Sequence, residues 1–141
     1  MNKTVKSISG FLGISMFMFG VLKFVNPFKG WYETQVVASQ LPLQGLSYWS
    51  GQLGEIVVGM VFIFLVYHAK QLRKYRHLFT VANIGTIVMM VVAFYVHMHP
   101  DVPNDVLPLK IKPPVIPLIF AILPALNIYT VSNEISTNYE E

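Results

Sequence analysis

The segment YWSGQLGEIVVGMVFIFLVY, residues 48–67, carries one charged side chain, Glu55, in a run that is otherwise largely apolar. A helix of about 20 such residues crosses a hydrocarbon core of about 30 Å. The sequence therefore predicts an all-α integral membrane protein in which this run is one span of a four-helix bundle. The other three predicted spans are residues 5–25, 78–96 and 114–131.

Composition agrees with this fold class. The chain has 141 residues, of which 54% are hydrophobic and 12% charged, whereas a soluble domain carries about 25% charged residues. We find no internal repeat and no low-complexity tract, so residues 1–141 are predicted to form a single transmembrane domain. The chain has no Cys, which excludes disulfides, thiol nucleophiles and thiolate metal sites.

Positive charge predicts the orientation of the spans. The densest basic cluster lies between the second and third spans and comprises Lys70, Arg73, Lys74 and Arg76. The positive-inside rule places such a cluster in the cytoplasm. Lys3 and Lys6 fall on the same side after two crossings, so both termini are predicted to be cytoplasmic, N-in/C-in. Because topology explains the basic residues, a nucleic-acid partner is not expected.

The first run, residues 5–25, has two interpretations. It could belong to a cleaved signal peptide, with cleavage before Ser39. The apolar stretch is longer than the usual h-region of about 7 to 15 residues. A retained span is therefore the preferred interpretation.

The connections between spans differ in character. Residues 28–45 mix aromatic, aliphatic and polar side chains at a spacing that predicts a short amphipathic helix in the membrane interface. Residues 98–113 contain four prolines and two aspartates, which predicts an ordered, non-helical loop. Residues 132–141 are polar and are predicted to be a short mobile tail.

Ionisable residues inside apolar spans are costly, so each one suggests a function. Gly51, Glu55 and Gly59 recur every four residues and share one helix face. Small residues allow close helix approach, so this face should point into the bundle. Lys23, at the outer end of the first span, is the predicted partner of Glu55. It shares a face with the predicted packing glycines Gly13 and Gly20.

The third span ends at His97, which should reach the same depth as Lys23 and Glu55. Two interpretations of this cluster remain open. One is a structural network that fixes helix register, which requires every polar group to be satisfied. The other is a cavity open to the outer leaflet, in which Glu55 and His97 bind a polar head group or move a proton.

Two asparagines suggest a second polar contact at the inner ends of the spans. Asn83 lies early in the third span and Asn127 late in the fourth, which places both at a similar depth. A hydrogen bond between two such amides holds helices together in a bilayer. We predict this bond and give it a structural role.

His97, His99 and Asp101 form an H-x-H-x-D pattern that an extended chain would turn to one side. Pro100 restricts His99, and His97 should end a helix. A metal site is therefore the less favoured hypothesis, and His99 and Asp101 are assigned to the outer polar cluster, with the histidines at the interface.

Three motifs together resemble the DoxX-like family of small four-helix membrane proteins, over nearly the whole chain. They are GISMFMFGVLKFVNP at residues 13–27, GQLGEIVVG at residues 51–59 and HMHPDVP at residues 97–103. The resemblance implies a multi-pass protein of the bacterial cytoplasmic membrane. It also implies an association with membrane redox systems and quinones, although related proteins act as assembly factors or bind sterol-like ligands.

The leading hypothesis is an accessory component of a membrane redox system that binds a quinone or another small amphiphile in an outward-facing cavity. The alternative is a non-enzymatic factor that folds or assembles another membrane protein, and a proton-coupled transporter ranks third. A redox protein, another membrane protein or a second copy of the chain are possible partners. We find no paired nucleophile and base and no cofactor fingerprint, so no enzymatic activity is assigned.

Overall fold

The computed structural model describes the backbone of residues 1–137 and the side chains of residues 1–133. Over this range the chain forms five α-helices and three short 3₁₀ turns, and no strand. The α-helices are α1 (Lys3–Leu22), α2 (Phe28–Ala38), α3 (Gln44–Tyr67), α4 (Arg76–Met98) and α5 (Val115–Thr137). The predicted all-α class is therefore confirmed.

Four of these helices, α1, α3, α4 and α5, are long and apolar enough to cross a membrane. Their outer faces are apolar as well: Ile14, Val57, Val88 and Ile122 are each more than half exposed. Such a surface is unfavourable in water and suits contact with lipid tails. The chain thus has the helices and the surface of a multi-pass membrane protein.

Some predicted boundaries were wrong. Helix α1 ends at Leu22, not at residue 25, because the chain turns before Pro27, and a residue that precedes proline avoids the helical region. Helix α3 begins at Gln44, four residues earlier than predicted. The prediction followed the apolar run and therefore left out the more polar first turn of the helix. Helix α5 continues through Thr137, so the predicted tail is helical over residues 132–137. Residues 138–141 of that tail lie outside the described residues.

Glycines set the distance between α1 and α3, the pair of helices in most extensive contact. A Cβ added at Gly59 would lie 2.5 Å from the backbone nitrogen of Phe17, and one added at Gly20 would lie 2.6 Å from Ile56 Cγ1. Gly13 is similarly close to Ile63, at 3.0 Å. These three positions pack as predicted. Gly51 differs, because its neighbour is a side chain of α2 instead of a helix backbone.

The bundle has two distinct ends. The basic end carries the start of α1 and the α3–α4 connection, where the Met1 amino group donates to the Ala69 carbonyl oxygen over 3.3 Å. The loop end is covered by α2 and by the connection of residues 99–114, which contains the turns Asn104–Val106 and Pro108–Lys110. Helix α2, Phe28–Ala38, lies within the connection of residues 28–45, where a short helix was predicted. The connection of residues 98–113 was predicted to be a non-helical loop. It contains no complete α-helix, but it includes these two 3₁₀ turns.

Candidate functional site

A cavity of about 570 Å³ lies inside the loop end of the bundle. All five helices and the turns of residues 105–110 contribute to its wall. Its polar wall includes Lys23, Glu55 and His97, which come from α1, α3 and α4. The structure thus brings together the three residues that the sequence predicts at one depth, and we refer to them as the charged site.

Lys23 and Glu55 form the predicted ion pair, with 2.6 Å between Lys23 Nζ and Glu55 Oε1. Lys23 caps the C-terminal end of α1, and the close approach of α1 and α3 at Gly20 brings its side chain to Glu55. The two side chains are 19% and 12% exposed. A pair so largely removed from water must remain paired, because either charge alone would be strongly unfavourable.

Tyr32 of α2 extends this pair. The Lys23 ammonium lies 4.1 Å from the centre of the Tyr32 ring, which is a cation–π contact. The Tyr32 hydroxyl donates to the Tyr48 carbonyl oxygen over 2.9 Å. Burial, together with the negative charge of Glu55 and the neighbouring Tyr48, raises the pKa of Tyr32 above its ordinary value. The hydroxyl therefore keeps its proton, and its hydrogen bond to Tyr48 of α3 holds α2 over the charged site.

His97 is almost fully buried, with 4% of its surface exposed. Its Nδ1 lies 2.8 Å from the Ala93 carbonyl oxygen one turn earlier in α4. A carbonyl oxygen can only accept, so Nδ1 is the nitrogen that carries the proton. In the neutral ring, Nε2 is then a hydrogen-bond acceptor.

The rest of the cavity wall is mainly apolar. Its largest members are aromatic and aliphatic side chains: Phe19, Phe28, Trp31, Met90, Leu107 and Phe120.

The loop that closes this wall is held by hydrogen bonds from side chains to its backbone. Gln35 of α2 donates to the Val106 carbonyl oxygen, and Lys112 donates to the carbonyl oxygens of Val102 and His99.

His99 and Asp101 do not line this cavity, so the structure separates them from the charged site. His99 Nδ1 lies 4.0 Å from Asp101 Oδ2, and Gln40 donates to the same carboxylate oxygen over 3.2 Å. Helix α4 continues to Met98, so His97 lies within the helix and binds the Ala93 carbonyl oxygen. His99 follows the helix, and the two histidine side chains therefore point in different directions. Within residues 1–133, no three His, Cys, Asp or Glu side chains form a group that could hold a metal ion.

The predicted hydrogen bond between Asn83 and Asn127 is present in the other half of the bundle. Asn127 Nδ2 lies 3.1 Å from Asn83 Oδ1 and 3.1 Å from Ser9 Oγ, and Asn83 Nδ2 donates to the Phe79 carbonyl oxygen over 2.7 Å. The three polar side chains have no exposed surface. We call Ser9, Asn83 and Asn127 the amide node. The sequence analysis missed Ser9, because the first two turns of α1 contain other small polar side chains, such as Thr4 and Ser7, and nothing distinguishes Ser9 from them.

Sequence reasoning also missed Gln52, which is 1% exposed on α3. Among the described side chains, neither its amide nitrogen nor its amide oxygen has a hydrogen-bond partner, and Glu55 Oε2 also has none. Gln52 precedes Glu55 by three residues, so the two share a helix face. Its polarity within an apolar run was the signal that could have identified it.

Comparisons of the chain with protein-family models, with curated proteins and with solved structures found no match.

Proposed function

We propose that the protein binds a small amphiphile, with the polar head at the charged site and the apolar part against the aromatic wall of the cavity. The observation that carries this proposal is a single cavity whose wall has both chemistries. Lys23, Glu55 and His97 line it together with Phe19, Trp31 and Phe120. Ligand sites in proteins are typically concave, mostly apolar and equipped with a few convergent polar groups.

The size and position of the cavity limit the ligand class. A volume of about 570 Å³ falls within the range of about 300 to 1,000 Å³ that is typical of small-molecule sites. The wall is formed by spanning helices and lies beneath α2 and the loop of residues 105–110. A ligand that enters from the bilayer would bring an apolar body and a small polar head, as quinones and short lipids do.

The resemblance to DoxX-like proteins supports a quinone as the first ligand to test and an accessory role in a membrane redox system. The proposed orientation has the basic end in the cytoplasm, because six cations lie there, in residues 3–6 and 70–76. The cavity would then open on the outer half of the cytoplasmic membrane. Helix α2 would lie in the outer interface.

The test is to identify what the purified protein carries. Native mass spectrometry in mild detergent, followed by denaturation and identification of the released molecule, would be applied to the wild type and to Glu55→Gln. Glu33→Gln is the matched control, because Glu33 lies on α2 with its side chain 52% exposed and is not part of the cavity wall. We expect a quinone or a defined lipid in the wild type and the control, and its loss in Glu55→Gln.

An empty wild-type protein, or equal retention in all three forms, would contradict the proposal. A protein that co-purifies in a fixed ratio with no released small molecule would instead favour the alternative function, a factor for the assembly of another membrane protein.

A further inference from the structure

We infer that the ligand head is a hydrogen-bond donor, and more narrowly a hydroxyl group, that donates to His97 Nε2. This inference rests on the proposed function, since it names the chemistry of the ligand for the same cavity. It follows from which polar atoms of the charged site are already engaged within the protein and which remain available.

His97 offers an acceptor to the cavity. Its Nδ1 proton is donated to the Ala93 carbonyl oxygen at 2.8 Å. The neutral ring then presents an unprotonated Nε2, and His97 is part of the cavity wall. A ligand carbonyl or ether oxygen could not bond to this atom, because neither partner would supply a proton.

Glu55 offers a second acceptor. Its Oε1 receives the Lys23 ammonium at 2.6 Å, while its Oε2 is buried and has no hydrogen-bond partner among the described residues. A buried carboxylate oxygen without a donor is strongly unfavourable. A hydroxyl group has one proton and can donate to only one of these two acceptors, and we assign it to His97 Nε2, because Glu55 Oε2 is itself buried.

The donors of the charged site have partners within the protein. Lys23 already binds Glu55 and lies against the Tyr32 ring, and the Tyr32 hydroxyl donates to Tyr48. Asp105 and Lys110, the other charged residues of the wall, are exposed on the loop. The charges of Lys23 and Glu55 balance each other, so a cationic head would have no counter-charge of its own in the site, and a neutral hydroxyl is the fitting donor. The matching class is therefore an amphiphilic phenol or alcohol, or the reduced quinol form of the proposed quinone ligand, in preference to the carbonyl or ether counterpart.

The test compares a bromine-bearing alkylphenol with its methyl ether, which keeps the shape and removes the donor. Trp31 is part of the cavity wall, whereas Trp49 is 52% exposed on the outside of α3. The full-length Trp49→Phe protein in phosphatidylcholine nanodiscs therefore reports binding through quenching of Trp31 by the bromine. Concentrations would be expressed per lipid, so that the different partitioning of the two probes is removed.

We expect saturable quenching by the phenol, with an affinity at least about tenfold higher than that of the ether, as expected for a hydrogen bond to a charged or buried acceptor. His97→Leu should abolish this preference. His99→Leu, two residues away and outside the cavity, should leave it unchanged.

Equal saturable binding of phenol and ether would overturn the inference and leave amphiphile binding intact, and so would a preference that persists in His97→Leu. If neither probe gave saturable quenching of Trp31, the proposed function would fail and the inference with it.

Discussion

The amide node and the charged site are two ways of placing polar side chains among spanning helices. In the amide node, Asn127 binds both Asn83 and Ser9, and none of the three is exposed. In the charged site, Lys23 and Glu55 form an ion pair on the wall of a cavity of about 570 Å³. The first is closed within the packed helices, whereas the second lies beside free space.

This difference supports a structural role for the amide node and the proposed binding role for the charged site. Leu12, Met16 and Phe62, each without exposed surface, belong to the apolar core of the bundle. The amide node joins three helices, α1, α4 and α5, and its residues do not line the cavity. Each region has a buried oxygen without a hydrogen-bond partner among the described residues, Asn127 Oδ1 and Glu55 Oε2, but only Glu55 belongs to a residue of the cavity wall. Polarity in a span thus indicates a binding site only where the packing leaves room for a ligand.

The largest effect is expected for Lys23→Met, which leaves Glu55 without its partner. We expect the free energy of unfolding in detergent to fall by about 3 kcal/mol, since removal of one member of a largely buried pair leaves an uncompensated charge. Adding Glu55→Met should recover most of this loss. If the double variant were as unstable as Lys23→Met, the unpaired charge of Glu55 would not be the cause of the lost stability.

The next effect tests how the charged site is assembled. Gly59→Ala places a methyl group 2.5 Å from the Phe17 backbone nitrogen, so α1 and α3 must move apart. We expect a loss of about 2 kcal/mol, typical of overpacking. Gly30→Ala is the control, because a Cβ there meets nothing within 4 Å, and alanine is the better helix former by about 1 kcal/mol. Thermal unfolding should therefore move in opposite directions, and equal shifts would contradict the packing account.

A smaller effect is expected at the amide node. Asn127→Leu keeps the volume similar and removes the bonds to Asn83 and Ser9, so stability should fall by about 1 kcal/mol, as is common for hydrogen bonds between spanning helices. Ligand retention in native mass spectrometry should stay at the wild-type level. Loss of ligand from Asn127→Leu, with the fold intact, would remove the distinction between the two regions.

The smallest effect is expected for Gln52→Leu. Because both amide atoms of Gln52 lack a partner among the described residues, an apolar side chain of similar size should change stability by less than about 1 kcal/mol, toward greater stability. Chemical unfolding would measure this change. A clear loss of stability would indicate that Gln52 binds an internal water or part of the ligand.

The sequence predicted the spans and several contacts because hydropathy and helical spacing are local properties. The Lys23–Glu55 pair and the Asn83–Asn127 bond followed from depth and face alone. The sequence did not predict that the side chains of His97 and His99 would separate, because their directions depend on where α4 ends. The sequence suggested a cavity at the charged site as one of two interpretations but could not predict its walls, because the space depends on how α2 and the loop of residues 105–110 cover the bundle. The polarity of Gln52 was visible in the sequence, but its lack of a hydrogen-bond partner among the described residues is visible only in the packed structure.

The central claim, that the charged site belongs to a ligand cavity, is tested most directly by comparing the two tryptophans of the chain. Trp49→Phe retains Trp31 in the cavity wall, and Trp31→Phe retains Trp49 on the outer surface. Both proteins would be titrated in nanodiscs with the bromine-bearing alkylphenol. We predict saturable quenching of Trp31 that Glu55→Gln weakens, and only weak, linear quenching of Trp49. Linear quenching of both tryptophans, unaffected by Glu55→Gln, would contradict the account.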